Sequence, residues 1–352
     1  MKTPLPRQTK SAELPFPSSA LLYMTGQRFL IAIPLILSLC AHVYGQGCSD
    51  AGVCTAGPIG QLWVASDSTS LDEARHYARL QYSYAIGEQD VVIMQVQPEL
   101  NIGFTERFAL QLKVPYVMAS GNLGENSGVG DVIFTASYAF IQTRHRNLTA
   151  IVGLRLPTGK TSPQPLEQTS FGPNFKPLPM PYQPGLGTLD LLFGGQYRHK
   201  RWTTALAYQH VLSQENENLF YHEPWEGDPD AVKYFESVYL ERANDAVVRL
   251  QYALPIGRLS IQPGLLAIYH LGLDSRLEPD GISIPEFPVP LIRRDIEGSD
   301  GLTLNITGDA RYRLNDNWSL EAAFGTPVIV REVRPDGLTR HFVTSVGLRY
   351  AF

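Results

Sequence analysis

Four sets of side chains in this sequence have the types and spacing to do chemistry. Leu154-Arg155-Leu156-Pro157-Thr158-Gly159-Lys160-Thr161-Ser162 contains Gly-Lys-Thr, the closing string of a phosphate-cradling loop. That loop needs four residues between its glycines, whereas Gly153 and Gly159 have five between them, and no strand-to-helix context follows. Nucleotide binding is set aside on that ground. His76, His210 and Ser213 are the raw material of a nucleophile and its base. A working dyad needs hydrogen-bond reach and a third orienting group; the spacing supplies neither, and no catalytic residue is assigned. Cys48 and Cys54 have five residues between them, which suits a small disulfide loop in an oxidising compartment. Two further ligands are not nearby, so neither a metal nor a cofactor is expected. The fourth set is a series of charges on alternate positions of otherwise apolar segments: Arg75, Arg79, Glu99, Lys113, Arg155, Asp190, Arg249, Asp309, Arg311, Glu321 and Arg349. Charges arrayed in this way select ions or anionic solutes, or they pair with one another and fill a narrow interior.

The elements that must position these charges are strands. Beyond about residue 70 the chain falls into segments of period two separated by turn residues, with no sustained helical period. They run near 73–86, 91–104, 108–119, 130–141, 148–158, 187–198, 202–213, 244–254, 259–272, 301–313, 318–331 and 339–352. In 91–104, Met94, Val96, Leu100, Ile102 and Phe104 alternate with Gln95, Gln97, Glu99, Asn101 and Gly103. In 301–313, Leu302, Leu304, Ile306, Ala310 and Tyr312 alternate with Thr303, Asn305, Thr307, Asp309, Arg311 and Arg313. The polar set is too dense for a dry core, because an unpaired buried charge costs several kcal/mol. One face of each strand therefore meets apolar surroundings, and the other meets water or paired charge.

The links are sorted by length. Short turns fall at Thr105-Glu106-Arg107, Gln142 to Asn147, His199-Lys200-Arg201, Pro255 to Arg258 and Leu314 to Asn317. Between them lie the longer links 120–129, 159–186, 214–243, 273–300 and 332–338, rich in Pro, acidic and aromatic residues, with a short first link at Gly87 to Asp90. Alternation of short and long links around an even strand count is the habit of bacterial membrane barrels. The final octapeptide, Ser345-Val346-Gly347-Leu348-Arg349-Tyr350-Ala351-Phe352, resembles the C-terminal targeting signal of outer-membrane β-barrels, with Ser345, Gly347, Tyr350 and Phe352 in its fixed places. The chain is 44% hydrophobic and 18% charged, too polar for a bundle of membrane helices, and its net charge of -5 argues against a nucleic-acid partner.

At the N-terminus, Phe29 to Leu37 follows Arg28 as an apolar run interrupted by Pro34, and small residues stand near Gly45. This is the form of a secretory signal cleaved around Gly45 or Gln46. Leu39 ahead of Cys40 does not suit lipidation. The expected organisation is residues 1–46 as a signal peptide with an N-terminal extension (Met24 as the true start), 47–70 as a periplasmic segment, and 71–352 as the barrel.

Lys113-Val114-Pro115-Tyr116, Gly128-Val129-Gly130-Asp131-Val132 and Gly153-Leu154-Arg155-Leu156-Pro157-Thr158-Gly159 together resemble blocks of the outer-membrane transporter family associated with meta-pathway phenol degradation. Gly185-Leu186-Gly187-Thr188-Leu189-Asp190 is similar to a further block. The resemblance implies a channel-type transporter and no catalytic residues. The expectation is an all-β chain, a transmembrane antiparallel up-and-down β-barrel of about twelve strands in the Gram-negative outer membrane, both termini periplasmic. Its expected partners are outer-membrane lipid and lipopolysaccharide, the barrel-assembly machinery acting on the C-terminal strand, and a small solute, aromatic or otherwise hydrophobic. Two alternatives remain: a non-transporting barrel whose loops bind a partner, a surface polymer or calcium-bridged lipopolysaccharide, and a wall-bound lipase or esterase.

Overall fold

The computed structural model describes residues 47–48, 76–161, 165–169, 172–225, 227–280 and 290–352. Arg75 and Cys54 lie outside the described residues, so the fold places neither that charge nor the cysteine pair. Among the described residues, twelve antiparallel strands form one sheet that closes on itself. They are β1 (Tyr77–Ile86), β2 (Val92–Gly103), β3 (Phe108–Lys113), β4 (Val132–Gln142), β5 (Arg146–Leu156), β6 (Thr188–His199), β7 (Trp202–Gln214), β8 (Asp245–Tyr252), β9 (Leu259–His270), β10 (Gly301–Arg313), β11 (Trp318–Ile329) and β12 (Phe342–Ala351). Each pairs with its chain neighbours, and β12 returns to β1 in a register that runs from Tyr77 opposite Ala351 to Ile86 opposite Phe342.

The alternation read from the sequence sorts the faces. Leu80, Leu100, Phe134, Val152, Leu206, Val248, Leu265, Ile306, Leu320 and Leu348 are exposed on the outside, while Gln97, Glu99, Thr135, Asn305 and Glu321 from the intervening positions are buried inside. Only a lipid environment makes that distribution favourable, since an outer belt of this extent would aggregate in water. Aromatic rings gather at the short-turn end. Trp202 meets Tyr252 with centroids 4.8 Å apart, Trp318 meets Tyr350 at 4.7 Å, and Tyr138 meets Phe140 at 5.0 Å. Phe352 stacks on His76 at 5.8 Å, at the same rim. Amphipathic rings prefer the level where hydrocarbon gives way to head groups.

The wall departs from the sequence reading at the link 120–129, which is not a loop. β3 stops at Lys113, and after Pro115 the chain resumes as a hairpin, Tyr116–Gly121 with Gly124–Val129, whose first strand pairs with Val92–Val96 of β2. β2 thus exchanges one partner for another around Pro98, a residue with no N–H to donate, whose carbonyl accepts the Val114 N–H at 3.2 Å just before Pro115. Gly-rich, polar hairpin strands look like a turn when read for hydrophobic period alone. The final strand is also shorter than the segment 339–352. Thr339–Arg340 is turned away from the wall and pairs with Gly47–Cys48 at the long-loop end, the end opposite Tyr77 and Phe352; the rest of segment 47–70 lies outside the described residues.

Because Leu206 lies on the outer face beside Val248 and Gly195, Leu206→Arg is expected to destabilise the barrel by about 2–4 kcal/mol in a bilayer, the usual cost of a mid-wall cation. Urea unfolding in lipid vesicles measures it, and an unchanged midpoint would contradict a lipid-facing position.

Candidate functional site

Inside the barrel the charges form a belt on neighbouring strands. Glu99 of β2 is buried between Arg79 of β1 and Lys113 of β3, paired with the first and 3.6 Å from the Lys113 Nζ. Tyr77 donates its hydroxyl to Glu99 at 2.6 Å, and Gln111 donates to both Glu99 and the Tyr77 oxygen. Arg79 also reaches Glu321 at 3.1 Å, and Glu321 takes a second arginine, Arg311, at 2.8 Å. On the next part of the wall Arg249 lies 2.7 Å from Asp309, which also accepts from Gln251 at 2.6 Å. Arg349 lies over the Tyr77 ring at 3.9 Å. Within this belt five cations face three carboxylates among the described residues, so the belt carries an excess of positive charge even though the whole chain is acidic. Removing one member of such a buried pair strands its partner, at a cost of about 3–5 kcal/mol.

Arg155 and Asp190 are the remaining described members of the charged set, and the structure brings them together apart from that belt, at the long-loop ends of β5 and β6. Arg155 forms an ion pair with Asp190 and donates from Nη2 to Thr188 at 2.9 Å. Gln209 of β7 donates to the same Asp190 oxygen at 2.9 Å. The four sequence blocks that suggested a family converge here. Thr158 donates to the Gly130 carbonyl at 2.7 Å and accepts from the Val132 N–H at 3.0 Å. Asp131 accepts from the Gly159 N–H at 3.1 Å and from the Leu186 N–H at 2.9 Å, while the Gly130 N–H donates to the Pro115 carbonyl at 2.9 Å. Gly159 and Gly185 pass so close that a Cβ on Gly159 would stand 2.5 Å from the Gly185 Cα. The blocks are thus one brace that ties the ends of β4, β5 and β6 to the chain between them. Burial pushes the Asp131 carboxyl up, and Arg155 opposes that shift only in part.

The brace holds a plug. Residues 177–187 connect to β6 and are buried throughout, folded into the mouth instead of standing over it. Leu178 and Tyr182 pack with Val91, Ile93 and Val117 from the wall, and with Phe220, Trp225 and Tyr234 from the link 215–244. The Tyr182 hydroxyl accepts from the Leu123 N–H at 3.2 Å, and the Trp225 indole donates to the Pro177 carbonyl at 3.0 Å. Met180, Leu186 and Leu240 form a second apolar group, with Leu338 against it. Gly337, at φ +63°, lies against the plug so closely that a Cβ would meet the Pro181 nitrogen at 2.4 Å. Three prolines within 177–181 limit the backbone states this segment loses on ordering.

A second ion cluster locks the last link to the mouth, and the sequence reading did not find it. Asp336 accepts from Arg331 and, at 3.1 Å, from the Arg242 Nε. Arg242 reaches Asp245 at 3.1 Å, and His270 lies between Asp245 (2.6 Å from Nδ1) and Asp274 (2.8 Å from Nε2). Asp245 opposes His270 in the β8–β9 register, so the inward parity of both strands contained that pair. Arg242, Asp274, Arg331 and Asp336 come from links, where no period marks them. Both imidazole nitrogens are taken by carboxylates, leaving no free nitrogen to act as a base. The wall candidates for chemistry are likewise dispersed: His210 stacks on Tyr208 at 6.2 Å, and Ser213 donates to Glu215 at 3.0 Å. Among the described residues no group of three or more His, Cys, Asp or Glu could hold a metal.

No protein-family profile and no curated protein matches the sequence. Among solved structures the chain is similar to the COG4313 outer membrane channel from Pseudomonas putida F1, at 16% identity and a TM-score of 0.51 over 82% of this chain and 98% of that one. Other similar structures are the NanC porin (8% identity, TM-score 0.42, 79% of this chain and 100% of that one) and the CymD monoaromatic hydrocarbon channel (10% identity, TM-score 0.38, 88% and 98%). The first of these shares the barrel fold. Fold and face chemistry together define the class: a closed, membrane-spanning antiparallel β-barrel of porin-like architecture.

Burial alone would raise the Asp336 carboxyl, but Arg331 and then Arg242 outweigh it and hold the group well below the usual carboxylate range. A depressed carboxyl contributes stability above its unfolded pKa, about 3.9 for Asp, and loses it as pH falls through the folded value. Hydrogen exchange of residues 330–341, corrected for its intrinsic pH dependence, is expected to stay slow from neutral pH down to about 4 and to accelerate only below that. Asp336→Asn should bring fast exchange at neutral pH, and equal protection in both proteins would contradict the assigned role of this cluster.

Proposed function

We propose that this protein is an integral outer-membrane channel for a small solute with an apolar body. The long links face outward, and the short turns with both barrel termini face the periplasm. The observation that carries this reading is an interior lined with charges and amides below a mouth that is filled by folded links. Closure of the barrel accounts for the polar interior by itself; the separate apolar cluster that stops its upper end is what a controlled passage adds. Just inside the mouth lies a cavity of about 60 Å³, bounded by Gln95, Gln97, Val117 and Ile133 of the wall and by Met180 and Leu186 of the plug. Its mixed polar and apolar lining is the kind that orients small ligands. The earlier likeness to transporters of aromatic degradation agrees with an apolar solute body. The closing octapeptide, with Ser345, Gly347, Tyr350 and Phe352 on the final strand, is assigned to recognition by the assembly machinery, and the outer belt to lipid and lipopolysaccharide.

Packing of the links into the mouth weighs against the surface-binding alternative. Three large rings of the 215–244 link, Phe220, Trp225 and Tyr234, are buried against the plug and are not available to a partner; Tyr221, Val232 and Tyr239 are the large apolar residues of that link that stay exposed.

Single-channel recording in planar bilayers tests the proposal. The intact protein should give small steps, and replacement of residues 177–186 by a short Gly-Ser linker should raise conductance several-fold. If neither protein conducts and neither admits small solutes in liposome swelling, the channel reading is abandoned.

A further inference from the structure

We infer that Arg155 is the anchor of a binding subsite for a small monocarboxylate in the cavity beneath the plug. The inference rests on reading the interior as a solute path, and it names the chemical class of the solute's polar end. Arg155 lines the cavity and is only 2% exposed. Its Nη2 is committed to Asp190 and Thr188, whereas its Nη1 and Nε have no hydrogen-bond partner. A buried guanidinium with unmade donors is costly, and here the unmade donors belong to a side chain on the wall of a polar-lined space.

The surrounding groups decide what would satisfy them. Asp131 also borders the cavity, but each of its oxygens already accepts a backbone N–H, from Gly159 and from Leu186. It is not placed to turn toward Arg155. Asp190 offsets the guanidinium charge, and Arg340 and Asp336 on the border of the same cavity offset one another, so the site has unmade donors but no surplus of positive charge and takes at most one negative charge; a dianion such as phosphate would meet stronger repulsion from Asp131 and Asp190. Gln95, Gln97 and Gln183 border the same space and present amide groups. On the other side Val117, Ile133 and Met180 offer apolar surface to a short alkyl or aryl body. At about 60 Å³ the cavity takes a carboxylate head with a few carbons. The excess of cations over carboxylates in the belt below continues the same preference along the interior. Charge-assisted pairs between guanidinium and carboxylate are among the strong hydrogen bonds.

The test is titration of the full-length, detergent-folded protein with ¹³C-labelled propionate, read by NMR line broadening, with 1-propanol as the neutral isostere and chloride as competitor. Propionate should bind saturably, propanol should not displace it, and chloride should compete at least tenfold more weakly. Arg155→Met alone strands Asp190, so the decisive variant is Arg155→Met/Asp190→Asn, which keeps the site neutral. It should fold, as judged by heat-modifiable migration on gels, and bind propionate about tenfold or more weakly. Arg155→Lys should retain part of the affinity. Absence of propionate binding, unchanged binding in the double variant, or equal affinity for chloride each overturns the subsite. If the double variant does not fold, binding is compared between the intact protein and Gln97→Leu, and unchanged affinity there overturns it as well. Because binding is read without transport, a barrel that conducts but does not bind propionate removes this inference alone. One that binds but never conducts removes the channel reading alone.

Discussion

Ten residue pairs join β1 to β12, from Tyr77 with Ala351 to Ile86 with Phe342. That ladder removes the two edges an open sheet would have, and inside hydrocarbon an unpaired edge is untenable because no water is there to satisfy it. Closure also fixes parity. A slip of one residue anywhere in the ring would turn Leu348 inward and Arg349 toward lipid, and would do the same to every strand built on that register. The interior charges are therefore a consequence of the outer belt. Once alternate residues must be apolar, those between them must share an enclosed space, and Glu99 and Glu321 are each held by two cations because nothing else there can neutralise them.

The wall and the mouth are held by different forces. The wall is a hydrogen-bonded ladder with polar groups inside, and only small apolar groups are buried in it, such as Ile133 with Leu192, Val247 and Leu266. The mouth holds the larger cluster, and most of its large side chains, Leu178, Tyr182, Phe220, Trp225 and Tyr234, come from links. The brace at Asp131 joins the two regimes. It ties the entry of the plug to strand ends that are already rigid, so the buried Arg155 and Asp190 have fixed geometry on one side and a folded link on the other.

Much of this was legible in the sequence, for a physical reason: period two and link length are local properties. The faces of β2 and β10 follow from alternation alone, and the order of short and long links follows from counting. Pairing is not local. Glu99 lies opposite Lys113 and Arg79 because of register, which depends on turns whose geometry the sequence only outlines. The first strand of the hairpin 116–129 fell mostly within the expected segment 108–119, but its second strand, Gly124–Val129, was hidden because it carries Gly, Glu, Asn and Ser in place of a hydrophobic alternation. The burial of 177–187 was hidden for the opposite reason: prolines mark it as a link, and nothing in a link's composition says which way it will fold. The family-like blocks were visible as short strings, but their convergence on one brace required the fold.

The location of the apolar cluster in the mouth has a thermal consequence. Outer side chains of the wall lie against lipid, so little of the wall's stability within the membrane comes from withdrawing apolar surface from water. The mouth packs its rings against one another at an aqueous rim and draws its cohesion from that withdrawal, the contribution that weakens on cooling. One chain therefore contains two parts with different heat capacities of opening: cold slackens the plug while the ring that carries it stays closed.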